Sequence, residues 1–237
     1  MTKLRKRTRC CDGCTLDSDG TTGKYRLMKT ASLIVLGLTV VCFTSLCGEA
    51  KSLFDGKTFK GWVGDTNKTW RIKDGAFVGG SLEGDKVPQN EFVRTTASYT
   101  NFVLRLKVKL LGKSGFVNGG VQLRSKPATK PPNEMVGYQA DAGEGWWGAL
   151  YDESRRNKVL VKPDPEAVKK AVKKDDWNEY EIRCEGKRVR TTINGEPMID
   201  YTEPDDSIEQ FGQIGLQVHG GGVTEIYYKD ITIEVLP

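Results

Sequence analysis

Three short stretches of the chain alternate apolar and polar residues: Val121-Gln122-Leu123-Arg124, Tyr138-Gln139-Ala140-Asp141 and Leu216-Gln217-Val218-His219. Alternation is the period of a β-strand, whose successive side chains leave opposite faces of the sheet. The apolar members can enter a core. Gln122, Arg124, Gln139, Asp141, Gln217 and His219 then stand together on the other side. A solvated strand face is ordinarily rich in Lys, Glu and Thr. This one carries amides, an Arg, an Asp and the only His in the chain. If the strands are neighbours, that face suits a polar, hydroxyl-rich ligand. It also holds groups that can move a proton: a His, whose ordinary pKa of about 6.5 suits base chemistry, and a carboxylate.

The loop Gly143 to Lys158 (GEGWWGALYDESRRNK) adds a second set of candidates. Trp146, Trp147 and Tyr151 are rings that could stack on a ligand ring, with apolar area and a polar rim. Core packing is the competing reading for at least one Trp. Asp152, Glu153, Arg155 and Arg156 read as a salt-bridged rim, of the kind that adds little stability. Glu153 and Arg155 remain candidate ligand contacts, because loops beside a sheet often carry function. Asp141, His219 and a loop carboxylate could form a mixed N/O shell for a divalent cation. No ligand spacing demands one.

The elements that must position these groups are almost all strands. Asn101 to Leu111 (NFVLRLKVKLL) alternates over a long run, as do Glu179 to Cys184 and Glu225 to Val235. Asp74-Gly75 and Asn194-Gly195 are hairpin turn signals. Many short strands with tight turns predict an all-β sandwich or a related architecture. One segment differs. Asp164-Pro165-Glu166 followed by Ala167, Val168, Ala171 and Val172 has helical spacing, with Asp164 as N-cap and Pro165 in the first turn. It predicts one short surface helix. Trp62, Trp70 and Trp177 read as core anchors.

Of the 237 residues, residues 28–50 read as a secretory signal: Lys29, an apolar run, then Gly48-Glu49-Ala50. The run is short and interrupted for a membrane span. Leu46 before Cys47 fits a lipoprotein acceptor site poorly. Residues 1–27 are a basic extension or precede the true start at Met28. Their cysteines lack a partner pair at zinc spacing. Without aromatic interleaving or a nucleic-acid-binding motif, the basic arm does not predict nucleic-acid binding. Residues 51–237 form one domain, with nearly balanced charge and Cys184 as their only cysteine. The expected location is periplasmic or secreted. No membrane contact is expected of residues 51–237.

Several segments recur together in one known family: LFDGKTFKGW, TWRIKDGAFVGG, NFVLRLKVKL, GYQADAGEGWWGALYDESRR, WNEYEIRCEG and GQIGLQVHGGG, the last followed by YYKDITIEVL. In this order they resemble the 3-keto-disaccharide hydrolase domain, a bacterial extracytoplasmic family, over about residues 51–237. The resemblance implies a concanavalin A-like lectin/glucanase jelly roll with a concave binding sheet. It also implies hydrolysis of glycosides whose glucose ring is oxidised at C3. The family's Asn-Ser-Gly strand corresponds to Asn118-Gly119-Gly120, with Arg124 retained. Its Gly-Tyr-Glu-x-Gln strand corresponds to Gly137-Tyr138-Gln139-Ala140-Asp141, so Glu and Gln have become Gln139 and Asp141. Gln217 and His219 match its Leu-Gln-x-His strand.

A 3-keto group acidifies the C2–H bond. Such chemistry needs a base near C2, a donor or cation at the C3 oxygen and an acid at the leaving oxygen. It does not need the paired carboxylates of direct glycoside hydrolysis. The expected roles are Asp141 or His219 as base and Arg124 or a metal at the enolate oxygen. Gln122, Gln139 and Gln217 are expected on sugar hydroxyls. The expected partner is a small glucoside or disaccharide. The alternative is a lectin-like module that binds carbohydrate without turnover.

Overall fold

A computed structural model describes residues 48–237. The basic extension, the apolar run of the signal and Cys47 lie outside the described residues. In chain order the elements are β1 (Lys51–Ser52), β2 (Trp62–Val63), β3 (Trp70–Lys73), β4 (Ala76–Gly80), β5 (Glu91–Tyr99), β6 (Phe102–Gly115), β7 (Asn118–Pro127), β8 (Met135–Gly143), β9 (Leu150–Glu153), β10 (Lys158–Val161), α1 (Pro165–Ala171), β11 (Asn178–Glu185), β12 (Arg188–Ile193), β13 (Glu196–Thr202), β14 (Gly212–Val218) and β15 (Gly222–Val235). They form two antiparallel sheets packed face to face, the all-β sandwich that the alternation predicts and the jelly roll that the family resemblance implies. The eight-stranded sheet runs β13-β12-β11-β6-β15-β4-β3, with β1 also on β15; the seven-stranded sheet runs β10-β9-β8-β7-β14-β5-β2.

The core lies between the sheets and follows the period-2 pattern. From the larger sheet, Phe102, Leu104, Leu106, Val108, Tyr180, Ile182, Cys184, Ile226 and Tyr228 are buried. From the smaller, Val121, Leu123, Tyr138, Ala140, Ile214, Leu216 and Val218 meet them. Burial pushes the Cys184 thiol up to about 12, so it packs as a small hydrophobe. Asp74 and Gly75 have φ of 51° and 73°, and Asn194 and Gly195 50° and 82°. This is the left-handed pair that a two-residue hairpin requires. Asp164 caps α1 by accepting from the Glu166 N–H at 2.9 Å, as its position predicts. The helix buries Ala171 and leans Ala167 and Val168 on the core. Trp62 and Trp70 are buried as expected. Trp177 departs from that expectation. It is half-buried on the far face of the larger sheet, with the Lys109 and Lys229 ammoniums over its ring.

β8, β7 and β14 are neighbours in the seven-stranded sheet, so the polar sides of the three alternating segments are brought together. Gln139 lies opposite Gln122, and Gln122 opposite Gly215. One row along, Asp141 lies opposite Gly120, and Gly120 opposite Gln217. In the next row the His219 N–H donates to Asn118 O at 3.0 Å. Asp141 and Gln217 therefore flank a glycine. A Cβ at position 120 would stand 2.9 Å from Gln139 Cγ, so glycine leaves the Gln139 side chain room to cross the row. Beneath this floor, Tyr228 Oη accepts from Gly120 N–H at 3.2 Å and donates to Gln217 O at 2.7 Å, tying β7 to β14.

Candidate active site

The polar face opens into a cavity of about 210 Å³ lined by Asn90, Phe116, Asn118, Gln139, Asp141, Trp146, Tyr151, Glu153 and His219. It is smaller than the roughly 300–1,000 Å³ typical of sites for drug-sized ligands, and so suits one small ring.

Asp141 is 3 % exposed. Its Oδ1 accepts from Gln139 Nε2 at 2.8 Å, and its Oδ2 has no partner. Burial pushes its pKa up to about 8; the Gln139 hydrogen bond and Lys162 oppose the rise, and the Glu153 charge adds to it. Burial thus favours the neutral acid form of Asp141, and its unpartnered oxygen can carry the proton. His219 is perturbed the other way. Burial lowers its pKa from the ordinary value, against a hydrogen bond to Gly220. Its Nδ1 lies 2.6 Å from Gly220 O. A carbonyl can only accept, so Nδ1 carries the hydrogen and Nε2 is left as a basic lone pair. The Phe116 ring meets the imidazole edge-on at 4.6 Å between centroids and restricts its orientation.

Phe116, Trp146 and Tyr151 make an aromatic wall, each successive pair in T-shaped contact at 6.3 and 6.2 Å. The loop that carries Trp146 is pinned: Trp146 N–H donates to Gly143 O, Asp141 N–H to Ala149 O, and Gly148 N–H to Asp141 O. Glu153 is half-buried, and burial raises its pKa. Asn90 is held by its amide donating to Glu134 Oε1 at 2.9 Å and by Gly220 N–H donating to its side-chain oxygen at 2.9 Å. Burial, together with the Glu153 charge, pushes the Glu134 pKa up to about 7.

Several expected site residues are placed elsewhere. Arg124 does not line the cavity. The β7–β8 register shifts between Leu123 and Lys126, and Arg124 sits at the irregularity with φ 49°. Such a bulge re-aims a side chain. Its guanidinium donates to Thr100 O at 2.6 Å, Gly186 O at 2.7 Å and Gln210 Oε1 at 2.6 Å, joining the ends of the two sheets. Trp147 packs against the core instead of lining the cavity. Arg155 lies over the Tyr138 ring at 4.6 Å and pairs with Asp152.

The expected surface rim is in fact a buried ion network. Asp152 is fully buried between Arg155 and Arg156, and Arg156 Nη2 also reaches Glu203 at 2.7 Å. For Glu203, burial acts to raise the pKa, but hydrogen bonds from Arg156 and Tyr138 outweigh it and hold the carboxylate near about 2. Gln122 and Gln217 are each fully buried and bond to Gln139, not to the cavity. Asp141, His219 and Glu153 share the cavity. Yet among the described residues no group of three or more His, Cys, Asp and Glu side chains gathers to hold a metal ion, so these three do not form the N/O shell that their residue types allow. Among the described residues, no helix is long and apolar enough to cross a membrane.

Sequence reasoning missed Phe116, Asn90 and the contribution of Asn118. Phe116 is 41 % exposed, and an aromatic beside Gly115 that fits no core pattern was the available signal.

Comparison with known proteins agrees with this fold. A putative glycosyl hydrolase from Parabacteroides distasonis is 21 % identical, covering 80 % of this chain and 94 % of that chain, with a TM-score of 0.59. The carbohydrate binding module CBM66 from Bacillus subtilis is 19 % identical, covering 73 % of this chain and 95 % of its own, with a TM-score of 0.55. At these identities the likeness establishes the fold. No curated protein matches the chain. A family model described as a 3-keto-alpha-glucoside-1,2-lyase-like domain matches residues 49–234. The chain thus belongs to the 3-keto-alpha-glucoside-1,2-lyase-like family, on a two-sheet β-sandwich fold.

Proposed function

We propose that the protein cleaves the glycosidic bond of 3-keto-glucosides by elimination across C1–C2, followed by hydration, and that residues 28–50 direct it outside the cytoplasm. The observation that supports this reading is the pairing in one cavity of a buried carboxyl driven toward its acid form with an imidazole driven toward its neutral form. Environments that push two titratable groups in opposite directions separate an acid from a base.

His219 Nε2 takes the C2 proton. The electron pair moves into the C3 carbonyl and gives an enolate, and the O–H of Asp141 faces the oxygen that gains charge. Collapse of the enolate forms C1=C2 and breaks the C1–O bond. The departing oxygen takes a proton from Glu153, whose carboxyl is biased toward its acid form and lines the cavity. Water then adds across C1=C2: its hydroxyl goes to C1, Glu153 receives a proton from it, and His219 returns the proton to C2. The ring stands against Trp146 and Tyr151, with Asn118 and Asn90 toward its hydroxyls. Arg124 has no part in these steps.

The test is incubation of the purified protein with matched pairs of glucosides and 3-keto-glucosides, with and without chelator. Aglycone release from the keto member alone supports the reading. Saturable binding without release identifies a binding module instead. Equal release from both members contradicts the enolate route.

A further inference from the structure

A histidine base needs its far nitrogen held, so that the ring keeps one tautomer and one orientation. In His219 that nitrogen, Nδ1, lies 2.6 Å from Gly220 O, the carbonyl of the next residue. The carbonyl belongs to Gly220-Gly221-Gly222, and glycine gives the backbone more freedom than any other residue. A carbonyl on such a turn orients nothing unless the turn is itself fixed. Three contacts fix it to the segment before β5. Gly221 N–H donates to Val87 O at 2.7 Å, and Val87 N–H to Gly222 O at 2.9 Å. Gly220 N–H donates to Asn90 Oδ1 at 2.9 Å. The approach is so close that a Cβ on Gly220 would stand 2.7 Å from Gln89 Cα.

Asn90 makes the side-chain contact of the three, and its sense is set from further out. Its amide nitrogen donates to Glu134 Oε1 at 2.9 Å. Turned over, the amide would aim an N–H at the Gly220 N–H and its oxygen at the Glu134 carboxylate, donor against donor and acceptor against acceptor. Glu134 therefore locks the amide with its oxygen toward Gly220. The adjacent Asn133 grips the same residue by its backbone, donating from Nδ2 to Asn90 O at 3.0 Å. Glu134 is itself fixed: its N–H donates to Pro131 O at 3.2 Å, and its backbone O accepts from Ala128 N–H at 2.8 Å. Glu134 does not line the cavity that holds His219. It lines a separate one of about 210 Å³, beside Pro132 and Met135.

We propose that Glu134 is a positioning residue for His219, acting through the Asn90 amide and the Gly220 backbone to hold the imidazole with its hydrogen on Nδ1 and its lone pair on Nε2. The inference rests on the reading of His219 as the base. The path runs from the Glu134 carboxylate to the Asn90 amide, the Gly220 backbone and the His219 ring. Its hydrogen bonds are 2.9, 2.9 and 2.6 Å long. A carboxylate thus sets the tautomer of a histidine, as in a direct acid–histidine pair, but at two removes. The role is to hold and not to relay: no proton moves along the path. Asn90 lines the cavity, so the same lock also sets which of its atoms a ligand meets.

The experiment uses the protein without a histidine tag, so that His219 is the only histidine. Proton–nitrogen NMR of the imidazole reads its tautomer without turnover, and thermal melts confirm folding. Wild type should show Nδ1–H alone in the neutral form. Glu134→Leu should mix the two tautomers and lower kcat on a 3-keto-glucoside about 10–100-fold, the scale of losing an outer partner that orients a metal-bound histidine. Glu134→Gln keeps an accepting oxygen for Asn90, and should retain the single tautomer and a kcat within about threefold of wild type. Asn90→Ala leaves Glu134 in place and should mix the tautomers as Glu134→Leu does; it decides the matter if Glu134→Leu does not fold. A folded Glu134→Leu or Asn90→Ala that keeps Nδ1–H alone overturns the proposal, whatever its melting temperature. So does a wild type in the Nε2–H form, a Glu134→Gln that mixes tautomers, or mixed tautomers with kcat unchanged. If wild type cleaves no keto-glucoside, the enolate reading fails, and the tautomer ratios still decide whether Glu134 positions His219.

Discussion

Two buried carboxylates within a dozen residues of each other have opposite fates. Asp152, in β9, is fully buried between the guanidiniums of Arg155 and Arg156. Asp141, in β8, is almost as buried, yet it has one amide donor on one oxygen and nothing on the other. The Asp152 network, which reaches Glu203 through Arg156, supplies the positive charge that burial of carboxylates demands. At Asp141 the protein withholds that charge, and the group keeps its proton instead. Paired acids here lock strands and loops together. The unpaired acid is left able to donate to a ligand. The same burial therefore yields a paired lock in one place and, on the function proposed above, an acid for chemistry in the other, and the nearest guanidinium separates the two.

Four experiments break or sharpen that contrast. The largest effect is expected at the base: His219→Ala should reduce kcat on a 3-keto-glucoside by about 10²–10⁴-fold, the usual contribution of a positioned acid–base group. A variant within threefold of wild type in steady-state kinetics would remove His219 from the mechanism. Breaking the paired side comes next. Arg156→Met strands Asp152 and Glu203 in the interior and should cost about 3–5 kcal/mol in denaturant unfolding. A loss under about 1 kcal/mol would mean that the network is not structural.

Asp141→Asn should behave differently from both. Asn keeps a donor but cannot ionise, so partial activity should remain while the alkaline limb of the pH profile disappears. Its stability effect follows from linkage. The pKa of Asp141 in the folded state lies above its ordinary value of 3.8, at about 8, so the native state binds the extra proton between these values. The contribution is fully present below about pH 3.8 and is lost as pH rises through about 8. Asp141→Asn should therefore melt higher than wild type at pH 8 and gain less at pH 4. Equal melting differences at both pH values would show that Asp141 is not perturbed. The smallest effect is expected at the aromatic wall. Trp146→Ala should raise KM by up to about tenfold, matching about 0.5–1.5 kcal/mol for ring contacts, whereas Trp147→Ala should destabilise the fold and leave KM alone.

The fold was legible because burial enforces alternation. A one-residue slip would turn Gln139 and Asp141 into the core, so Tyr138 and Ala140 fix the register. The same rule placed Gln217 and His219 on the shared face. It failed at Arg124, where an irregularity in β7 breaks the period between Leu123 and Lys126 with no glycine or proline at 124 or 125 to mark it. It was silent on Trp146 against Trp147, since a turn sends adjacent rings in directions that only its hydrogen bonds to Gly143 settle. Gln122 and Gln217, which bond to Gln139 and do not line the cavity as Gln139 does, escaped the sequence for a different reason. Sequence identifies a donor but not whether a neighbouring amide has already used it. Asp152 looked like a rim residue because Glu203, at the far end of its ion network, lies 51 residues further along the chain.

The central claim is that a neutral imidazole and a protonated carboxyl act together in one cavity. The pH dependence of kcat/KM for a 3-keto-glucoside tests it most directly. The account predicts a bell, with the acid limb below the ordinary histidine value because His219 must be neutral, and the alkaline limb near about 8 because Asp141 must keep its proton. The acid limb should vanish with the residual activity of His219→Ala, and the alkaline limb in Asp141→Asn. A profile that stays flat or keeps rising above pH 8 in the wild-type protein, or an alkaline limb that survives in Asp141→Asn, would contradict it.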